Sequence, residues 1–577
     1  MPTSRSRQTL PNLEKFFRDV RRLRAKILEA FRTPAKFCIA LLDPAPTHPL
    51  VNRLYKQLEA MGADEHDYAV SSTYAVLIGP EKRKALSAYF TPPAVAAAAM
   101  RAARAFLDKK SNPTILDPAC GGGSFIVPIT RELVGRQLAS GLSIPRACNA
   151  ALKQVYGLEL EPDLARLAER LLGRMLEREF SYKKKLPLVI RRANALSARK
   201  VKKHTAIIGN PPYGRVLDTV SSTVLRRAGD AANGGHTNLY ALFILRALDW
   251  VQPGGGLVFI LPTSFVAGPY FAGLRKEILA RASVVSIDVH NQRENLFLGA
   301  VQDICILTLA RRQSSVKSKA TQLYEMGLVD ECGHRTSAGK AEACPAGQPW
   351  TLPVPGLKRK KRARTKTTSK SHWTLEDYGY RMKVGKVVPT RERTRLKKKF
   401  LPRALPLIWA SDIRPTGRFI FRGGGERSPP YGWFLPYKKD KLRYIAKRAA
   451  VLVQRSSNRD QKRRLNAAAV TESFVDKKGR RGYVAENHVI VLEATNKRPL
   501  LSPRDMVKLL HSEVLNERFS SLSGSFNVSA TLLRRLSLPD PSQLRITKAL
   551  RSERKIRRLF EEIPEVLVPE ELGSSTT

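Results

Sequence analysis

The chain has 577 residues, more than a single compact core accommodates, so two or three domains are expected. Lysine and arginine total 101 against 50 acidic residues, a formal charge of +51. That excess goes beyond what solubility needs and points to a polyanionic partner, nucleic acid ahead of an anionic membrane. No run of about 18 apolar residues occurs, and residues 1–9 lack the apolar core of a secretory signal, so the chain reads as soluble, intracellular and without a membrane.

From Leu10 to about residue 85 the pattern is helical, with Leu13, Phe16, Phe17, Val20 and Leu23 spaced for one apolar face, and residues 1–85 form an N-terminal helical region. Between 86 and 310, short β-branched runs alternate with helical stretches, the pattern of βαβ units around a mostly parallel sheet. Strands are predicted at 114–117, 155–160, 188–191, 206–209, 256–261, 284–289 and 303–309. A helix after Pro162 places Leu164, Leu167, Leu171 and Met175 on one side, with its proline in the first turn.

Periodicity fades from Arg311, and 311–371 is expected to be a basic linker, with eight lysines or arginines in its last stretch, 358–370. A second folded region of mixed helix and strand runs over 372–541, with a strand at 484–492, and 542–577 form a C-terminal helix or tail. The six cysteines, at 38, 120, 148, 305, 332 and 344, show no CxxC pairing. Cys332, His334 and Cys344 share a segment but lack a fourth ligand, so free thiols and no metal are expected.

The chemistry concentrates in three strand ends. In Thr114-Ile-Leu-Asp-Pro-Ala-Cys-Gly-Gly-Gly-Ser-Phe125, the glycines let the backbone close around a ligand, and Asp117 is placed to hold a cationic amino group. Glu159 ends the next strand, where a carboxylate in a doubly wound sheet accepts from a ribose diol. The third is Ala206-Ile-Ile-Gly-Asn-Pro-Pro-Tyr213. Two prolines directly after a buried strand cannot continue the ladder, so Asn210, Pro211, Pro212 and Tyr213 form a stiff loop at the strand's carboxyl end. An exocyclic amine is a poor nucleophile because its lone pair is delocalised into the ring. The Asn210 side-chain oxygen and the Pro211 carbonyl are suited to accept its hydrogens and aim the lone pair at an electrophilic methyl. Tyr213 is suited to stack on a base that has left the duplex.

These residues resemble the N6-adenine DNA methyltransferases of restriction-modification systems in the gamma arrangement, where the cofactor half precedes the catalytic half and target recognition comes last. The resemblance spans roughly residues 85 to 540. It implies a Rossmann-like class I S-adenosylmethionine-dependent methyltransferase domain over 86–310, an α/β fold, and a mixed α+β target-recognition domain over 372–541. Ala88-Tyr-Phe-Thr-Pro-Pro93 is similar to the family's cofactor-pocket strand and implicates Tyr89 and Thr91. Asp117, Ala119 and Gly121 match its methionine-binding loop, and Glu159 its ribose carboxylate. Thr237-Asn-Leu-Tyr-Ala-Leu-Phe243 and Ile260-Leu-Pro-Thr-Ser-Phe265 match catalytic-half motifs, with a second stacking aromatic at Tyr270 or Phe271. Where the family carries an aspartate toward the cofactor's adenine, this chain has Asn194, which still accepts a hydrogen bond but brings no charge.

The resemblance further implies S-adenosylmethionine as cofactor without a metal, double-stranded DNA as partner, a separately encoded cognate restriction endonuclease, and a cytoplasmic, nucleoid-associated location. The segment 451–465 is dense in guanidinium groups. Arg455, Arg459, Arg463 and Arg464 suit phosphate or guanine edges, and Gln454, Asn458 or Gln461 suit adenine edges. Glu486-Asn-His488 and Leu522-Ser-Gly-Ser-Phe-Asn-Val-Ser-Ala530 also resemble the family's C-terminal half, although His488 reads equally well as a core histidine. Two further readings stand beside adenine methylation in DNA: an N-methyltransferase acting on RNA, and a DNA-binding subunit without catalysis. Release-factor glutamine methyltransferases share the Asn-Pro-Pro-Tyr corner, but they are short, and the +51 charge argues against them.

Overall fold

A computed structural model describes residues 6–198, 201–214, 238–291, 296–298, 302–313, 321–343, 347–353, 373–423, 430–437, 440, 445–455, 463–478, 481–495, 499–522, 528–546, 549–561 and 563. The chain forms two compact units, Met1–Lys358 and Arg359–Thr577.

Four helices open the first unit: α1 (Ser6–Phe31), α2 (Pro34–Ala40), α3 (Pro49–Glu59) and α4 (Ala63–Leu86). The apolar face expected of α1 is the buried one, with Phe16, Phe17, Val20 and Leu23 inside and Leu13 at its margin. α4 is kinked at Gly79, where φ is 82° and Pro80 follows without an N–H to carry the ladder. α5 (Pro93–Leu107) then starts on prolines at its cap and first turn.

The alternating part follows: β1 (Ile115–Asp117), α6 (Ile126–Ala139), α7 (Ile144–Leu152), β2 (Val155–Glu159), α8 (Pro162–Phe180), β3 (Ile190–Arg192), β4 (His204–Gly209), α9 (Leu239–Trp250), β5 (Val251–Pro262), α10 (Ser264–Ala267), α11 (Ala272–Arg281), β6 (Ala282–His290) and β7 (Ile304–Arg311). All seven predicted strands are present, and α8 buries Leu164, Leu167, Leu171 and Met175 as expected. β1 pairs in parallel with β2 and β4, while β7 runs antiparallel between β5 and β6.

Helices cover both faces of this sheet. Ile115, Ala206, Ile208, Val258 and Ile260 pack into one core with α1 to α8, and their neighbours Leu116, Ile207, Leu257, Phe259 and Leu261 pack into a second core with α9 and α11. Burial on both faces is why these strands read as unbroken apolar runs rather than alternating ones.

The expected linker does not begin at 311. β8 (Gln322–Val329) pairs in parallel with β6, and β9 (Arg335–Ala343) returns antiparallel at the edge, giving nine strands in the order β3-β2-β1-β4-β5-β7-β6-β8-β9. β9 is mostly exposed, so it carries none of the apolar periodicity that marks a strand. Beyond it, Trp350 is fully buried in the second core. The basic run 358–370 lies outside the described residues.

The second unit is a mixed α+β domain. Its strands are β10 (Tyr380–Val384), β11 (Leu396–Lys397), β12 (Leu405–Ile408), β13 (Trp433–Phe434), β14 (Ala450–Gln454), β15 (Ala467–Val470), β16 (Val484–Ala485) and β17 (Val489–Ala494). They form two four-stranded sheets, β10-β17-β14-β15 and β11-β13-β12-β16, followed by helices that include Pro503–Leu510 and Glu513–Leu522. The single strand expected at 484–492 is therefore two strands in two sheets. The chain crosses over at Glu486, whose buried carboxylate accepts from the N–H groups of Ala410 (3.1 Å) and His488 (3.2 Å). His488 is exposed there, so it is not a core histidine.

Candidate cofactor and catalytic site

Parallel strands present their carboxyl ends along one edge of a doubly wound sheet, and ligands bind outside that edge. Here Asp117 ends β1, Glu159 ends β2, and Asn210 follows β4 directly. All three line a single cavity of about 390 Å³, joined by Tyr89, Thr91, Ala119, Gly121, Asn194 and Pro212. The predicted cofactor residues thus come together from four separate stretches of sequence, and Asn210 and Pro212 of the predicted catalytic corner add a fifth.

The loop after β1 turns through Gly121 (φ 52°) and Gly123 (φ 87°), backbone conformations that residues with side chains seldom adopt. Its N–H groups close onto the carboxylates. Gly121 N–H donates to Glu159 Oε2 at 2.8 Å, and Glu161 N–H donates to Glu159 Oε1 at 2.8 Å. Each Glu159 oxygen keeps a further lone pair for a ligand hydroxyl. Burial raises the Glu159 carboxyl above its ordinary range, and the backbone N–H groups of Glu161, Gly121 and Leu160 pull it partly back.

Asp117 is more enclosed. It is 1% exposed, and its Oδ1 accepts from Ala119 N–H at 3.0 Å. Gly209 permits this proximity, because a Cβ there would sit 2.8 Å from Asp117 Oδ1. Burial, reinforced by the Glu159 charge, pushes Asp117 up to about 8. The site therefore holds a carboxyl poised to ionise when a cation arrives. Asn194 Oδ1 accepts from Leu196 N–H at 3.0 Å, so the side chain is held in a local turn at the cavity wall.

At the Asn-Pro-Pro-Tyr corner, Asn210 Nδ2 donates to Thr91 Oγ1 at 3.1 Å and lies 3.4 Å from the Tyr89 carbonyl oxygen. A carbonyl only accepts, so it settles which end of the amide is nitrogen and turns Oδ1 the other way. There Oδ1 accepts from the Tyr213 hydroxyl at 2.6 Å. The Tyr213 ring stands edge-on to Tyr240 (6.3 Å) and Phe297 (6.4 Å), and burial holds its hydroxyl in the neutral, donating form. Of the two aromatics proposed to pair with Tyr213, Phe271 is buried and stacks on Tyr240 at 5.6 Å, whereas Tyr270 is 56% exposed.

Sequence reasoning missed Tyr240 and Phe297 as members of this aromatic cluster. Tyr240 lay inside the quoted stretch 237–243, but helical spacing alone does not tell a site aromatic from a core one. Thr237 itself lies outside the described residues. Thr91 was read as a cofactor contact, and its bond to Asn210 had no signal in the sequence.

The described part of the guanidinium-dense segment is partly tied to its own chain. Arg455 donates to the Asn487 carbonyl (3.2 Å), and Arg463 donates to the Pro415 carbonyl (3.3 Å) and lies 3.2 Å from His511 Nδ1. Arg464 is half-buried, and Arg459, Asn458 and Gln461 lie outside the described residues. Gln454 is no base reader: its buried Nε2 bonds the carbonyls of Ala410 and Ile413. Asp330, Cys332 and His334 come within 4.8 Å at the β8–β9 turn, but Asp330 Oδ1 is occupied by the Cys332 and His334 N–H groups, so turn formation accounts for the cluster.

The strand order, with β7 inserted antiparallel between β5 and β6 in an otherwise parallel sheet that ends on the antiparallel edge strand β9, and the cavity at the strand ends define a class I S-adenosylmethionine-dependent methyltransferase fold, followed by a further α+β domain. Residues 69–334 match the N-6 DNA Methylase family model. The chain is 25% identical over 349 residues to the Type II methyltransferase M.PstI of Providencia stuartii, covering 59% of this chain and 66% of that one. It is 26% identical over 222 residues to M.BsuBI of Bacillus subtilis, covering 38% and 42%. These matches therefore span less than two thirds of either relative. Among solved structures, the Type IIL restriction-modification enzyme MmeI in complex with DNA aligns at a TM-score of 0.51 with 14% identity, over 89% of this chain and 78% of that one. A DrdV–DNA complex aligns at 0.51 with 12% identity, over 90% and 66%. No helix among the described residues is long and apolar enough to cross a membrane.

Proposed function

We propose that this chain is a DNA methyltransferase of the restriction-modification type that transfers a methyl group from S-adenosylmethionine to the N6 amine of an adenine turned out of the duplex. The observation that carries the reading is the position of Asn210, in the wall of the same cavity as Asp117, Gly121 and Glu159. Methyl donor and amino acceptor then meet at one point.

The donor set fits this cofactor. Asp117, held protonated by burial until a cation binds, suits the amino group of the methionine part. The free lone pairs of Glu159 suit the ribose hydroxyls, and Asn194 suits the adenine amine. When bound, S-adenosylmethionine supplies an electrophilic methyl on a sulfonium. The chain supplies the rest. Asn210 Oδ1 and the Pro211 carbonyl accept the two amine hydrogens, which localises the lone pair on nitrogen. Pro211 and Pro212 keep the corner stiff, and Tyr213, with Phe271 behind Tyr240, offers aromatic surface to the extruded base. In this reading Thr91 positions the Asn210 amide in addition to walling the cofactor.

The target-recognition role falls to the second unit, and the matching activity would be a separately encoded endonuclease of the same specificity, both acting on DNA at the nucleoid. The test is transfer of labelled methyl from S-adenosylmethionine to duplex DNA. Wild-type protein is expected to label DNA, and Asn210→Ala is expected to bind cofactor and DNA while losing most turnover. Undiminished labelling by Asn210→Ala would refute the assignment.

A further inference from the structure

The loop joining β11 to β12 sets exposed apolar side chains directly among exposed basic ones. Residues 398–403, Lys-Lys-Phe-Leu-Pro-Arg, are all exposed. Phe400 is 61% and Leu401 40% exposed, an apolar pair set between two lysines and an arginine. Large apolar side chains held out in water are a liability unless something covers them.

The loop is also braced. The Phe400 ring stands edge-on to Trp433 at 4.9 Å, and Trp433 leans on Phe421 at 5.5 Å, which leans on Phe474 at 5.5 Å. Ala404 N–H closes a turn onto the Leu401 carbonyl at 2.9 Å, with Arg403 in the left-handed region at φ 71°. Among the described residues no acidic group pairs with Lys398, Lys399 or Arg403. By contrast, the heads of Arg455 and Arg463 are bonded to carbonyls of their own chain.

We infer that residues 398–403 are a docking element for duplex DNA, with Lys398, Lys399 and Arg403 on backbone phosphates and Phe400 as an apolar wedge pressed against a base step. The inference rests on the reading that the chain acts on DNA, and it names the surface. Charge selects the occupant. A second copy of a chain carrying +51 would meet this loop with like charge, whereas a duplex offers phosphates on either side of a groove whose stacked base steps admit an apolar wedge. The aromatic row behind Phe400 takes up the thrust of the wedge.

Anisotropy titrations of a short random-sequence duplex against salt test this with wild-type protein, the triple variant Lys398→Ala/Lys399→Ala/Arg403→Ala, and Phe400→Ala. Each phosphate contact contributes about 0.9 to the slope of log affinity against log salt, so the triple variant should lose roughly two to three from that slope. Phe400→Ala should weaken binding roughly tenfold, the order of one base–aromatic stack, at unchanged slope. Both should keep the wild-type melting temperature and affinity for S-adenosylmethionine, because all four side chains are exposed. A steep wild-type slope that the triple variant retains, with full affinity in Phe400→Ala, would overturn the assignment while leaving the DNA reading intact. A flat wild-type titration would overturn the DNA reading itself. A wild-type dimer in sedimentation that Phe400→Ala dissolves would assign the loop to a second copy and also overturn it.

Discussion

Removing one oxygen from Tyr213 should make the protein a better catalyst at limiting DNA. The Tyr213 hydroxyl donates at 2.6 Å to Asn210 Oδ1, the atom proposed to accept from the target amine. Oδ1 has two lone pairs, so an incoming amine shares this acceptor with that hydroxyl, and the sharing weakens the amine's own bond. A neutral hydrogen bond of this kind contributes about 0.5–1.5 kcal/mol net, which corresponds to roughly two- to tenfold in an equilibrium constant. Tyr213→Phe deletes the competitor and keeps the ring between Tyr240 and Phe297. The second contact of the hydroxyl, 3.2 Å to the Ile260 carbonyl, is no great loss, because Ile260 lies in β5 paired with Ile306 of β7. Steady-state methylation at varied duplex concentration should therefore show KM for DNA falling roughly two- to tenfold. Tyr213→Ala, which also removes the ring, should lose roughly ten- to a hundredfold in kcat/KM, the scale of one lost base stack. If Tyr213→Phe proves as impaired as Tyr213→Ala, the hydroxyl takes part in the chemistry and the argument from competition for Oδ1 fails.

Two further perturbations probe the walls of the same cavity. Thr91→Val removes the nearer acceptor of the Asn210 amide and leaves only the Tyr89 carbonyl at 3.4 Å to hold it, so kcat should drop roughly fivefold to tenfold while affinity for S-adenosylmethionine by calorimetry stays near wild type. Thr91→Ser should restore kcat, and a loss confined to cofactor affinity would make Thr91 a cofactor contact alone. Asp117, pushed up to about 8, is largely protonated at pH 7 in the free protein, so binding a cationic ligand should release close to one proton there. Apparent affinity should rise with pH and level off above about 8, and calorimetry in buffers of different ionisation enthalpy reads the proton directly. For stability the sign is the reverse. The folded state binds the extra proton between the ordinary carboxylate range and about 8, so stability falls as pH rises through that window, and Asp117→Asn should flatten the slope. Proton-free binding at pH 7 would contradict both statements.

The nine-stranded sheet was legible in the sequence over its first seven strands because these are buried on two faces and the candidate site residues sit at their ends. Ile115 and Leu116, or Ile207 and Ile208, face opposite cores, so nothing polar interrupts the run until the functional residue arrives. The edge of the sheet was not legible. β9 faces water along most of its length, and its polar sequence resembles a linker. Side-chain partnerships were hidden as well. Nothing local to Asn210 indicates that Thr91, 119 positions away, holds its nitrogen, or that Tyr213 holds its oxygen. In the second unit, arginine density at 451–465 suggested a DNA surface. Side chains of Arg455, Arg463 and Gln454 also bond backbone carbonyls of their own chain, a use that composition does not reveal.

The central claim is that the corner formed by residues 210–213 delivers a methyl group to the amine of adenine. Nucleoside mass spectrometry after incubating duplex DNA with the protein and methyl-labelled S-adenosylmethionine tests it most directly. Label recovered as N6-methyldeoxyadenosine, and lost with Asn210→Ala, is the predicted result. Label recovered on cytosine, or unlabelled DNA from protein that binds the cofactor and the duplex, would contradict it.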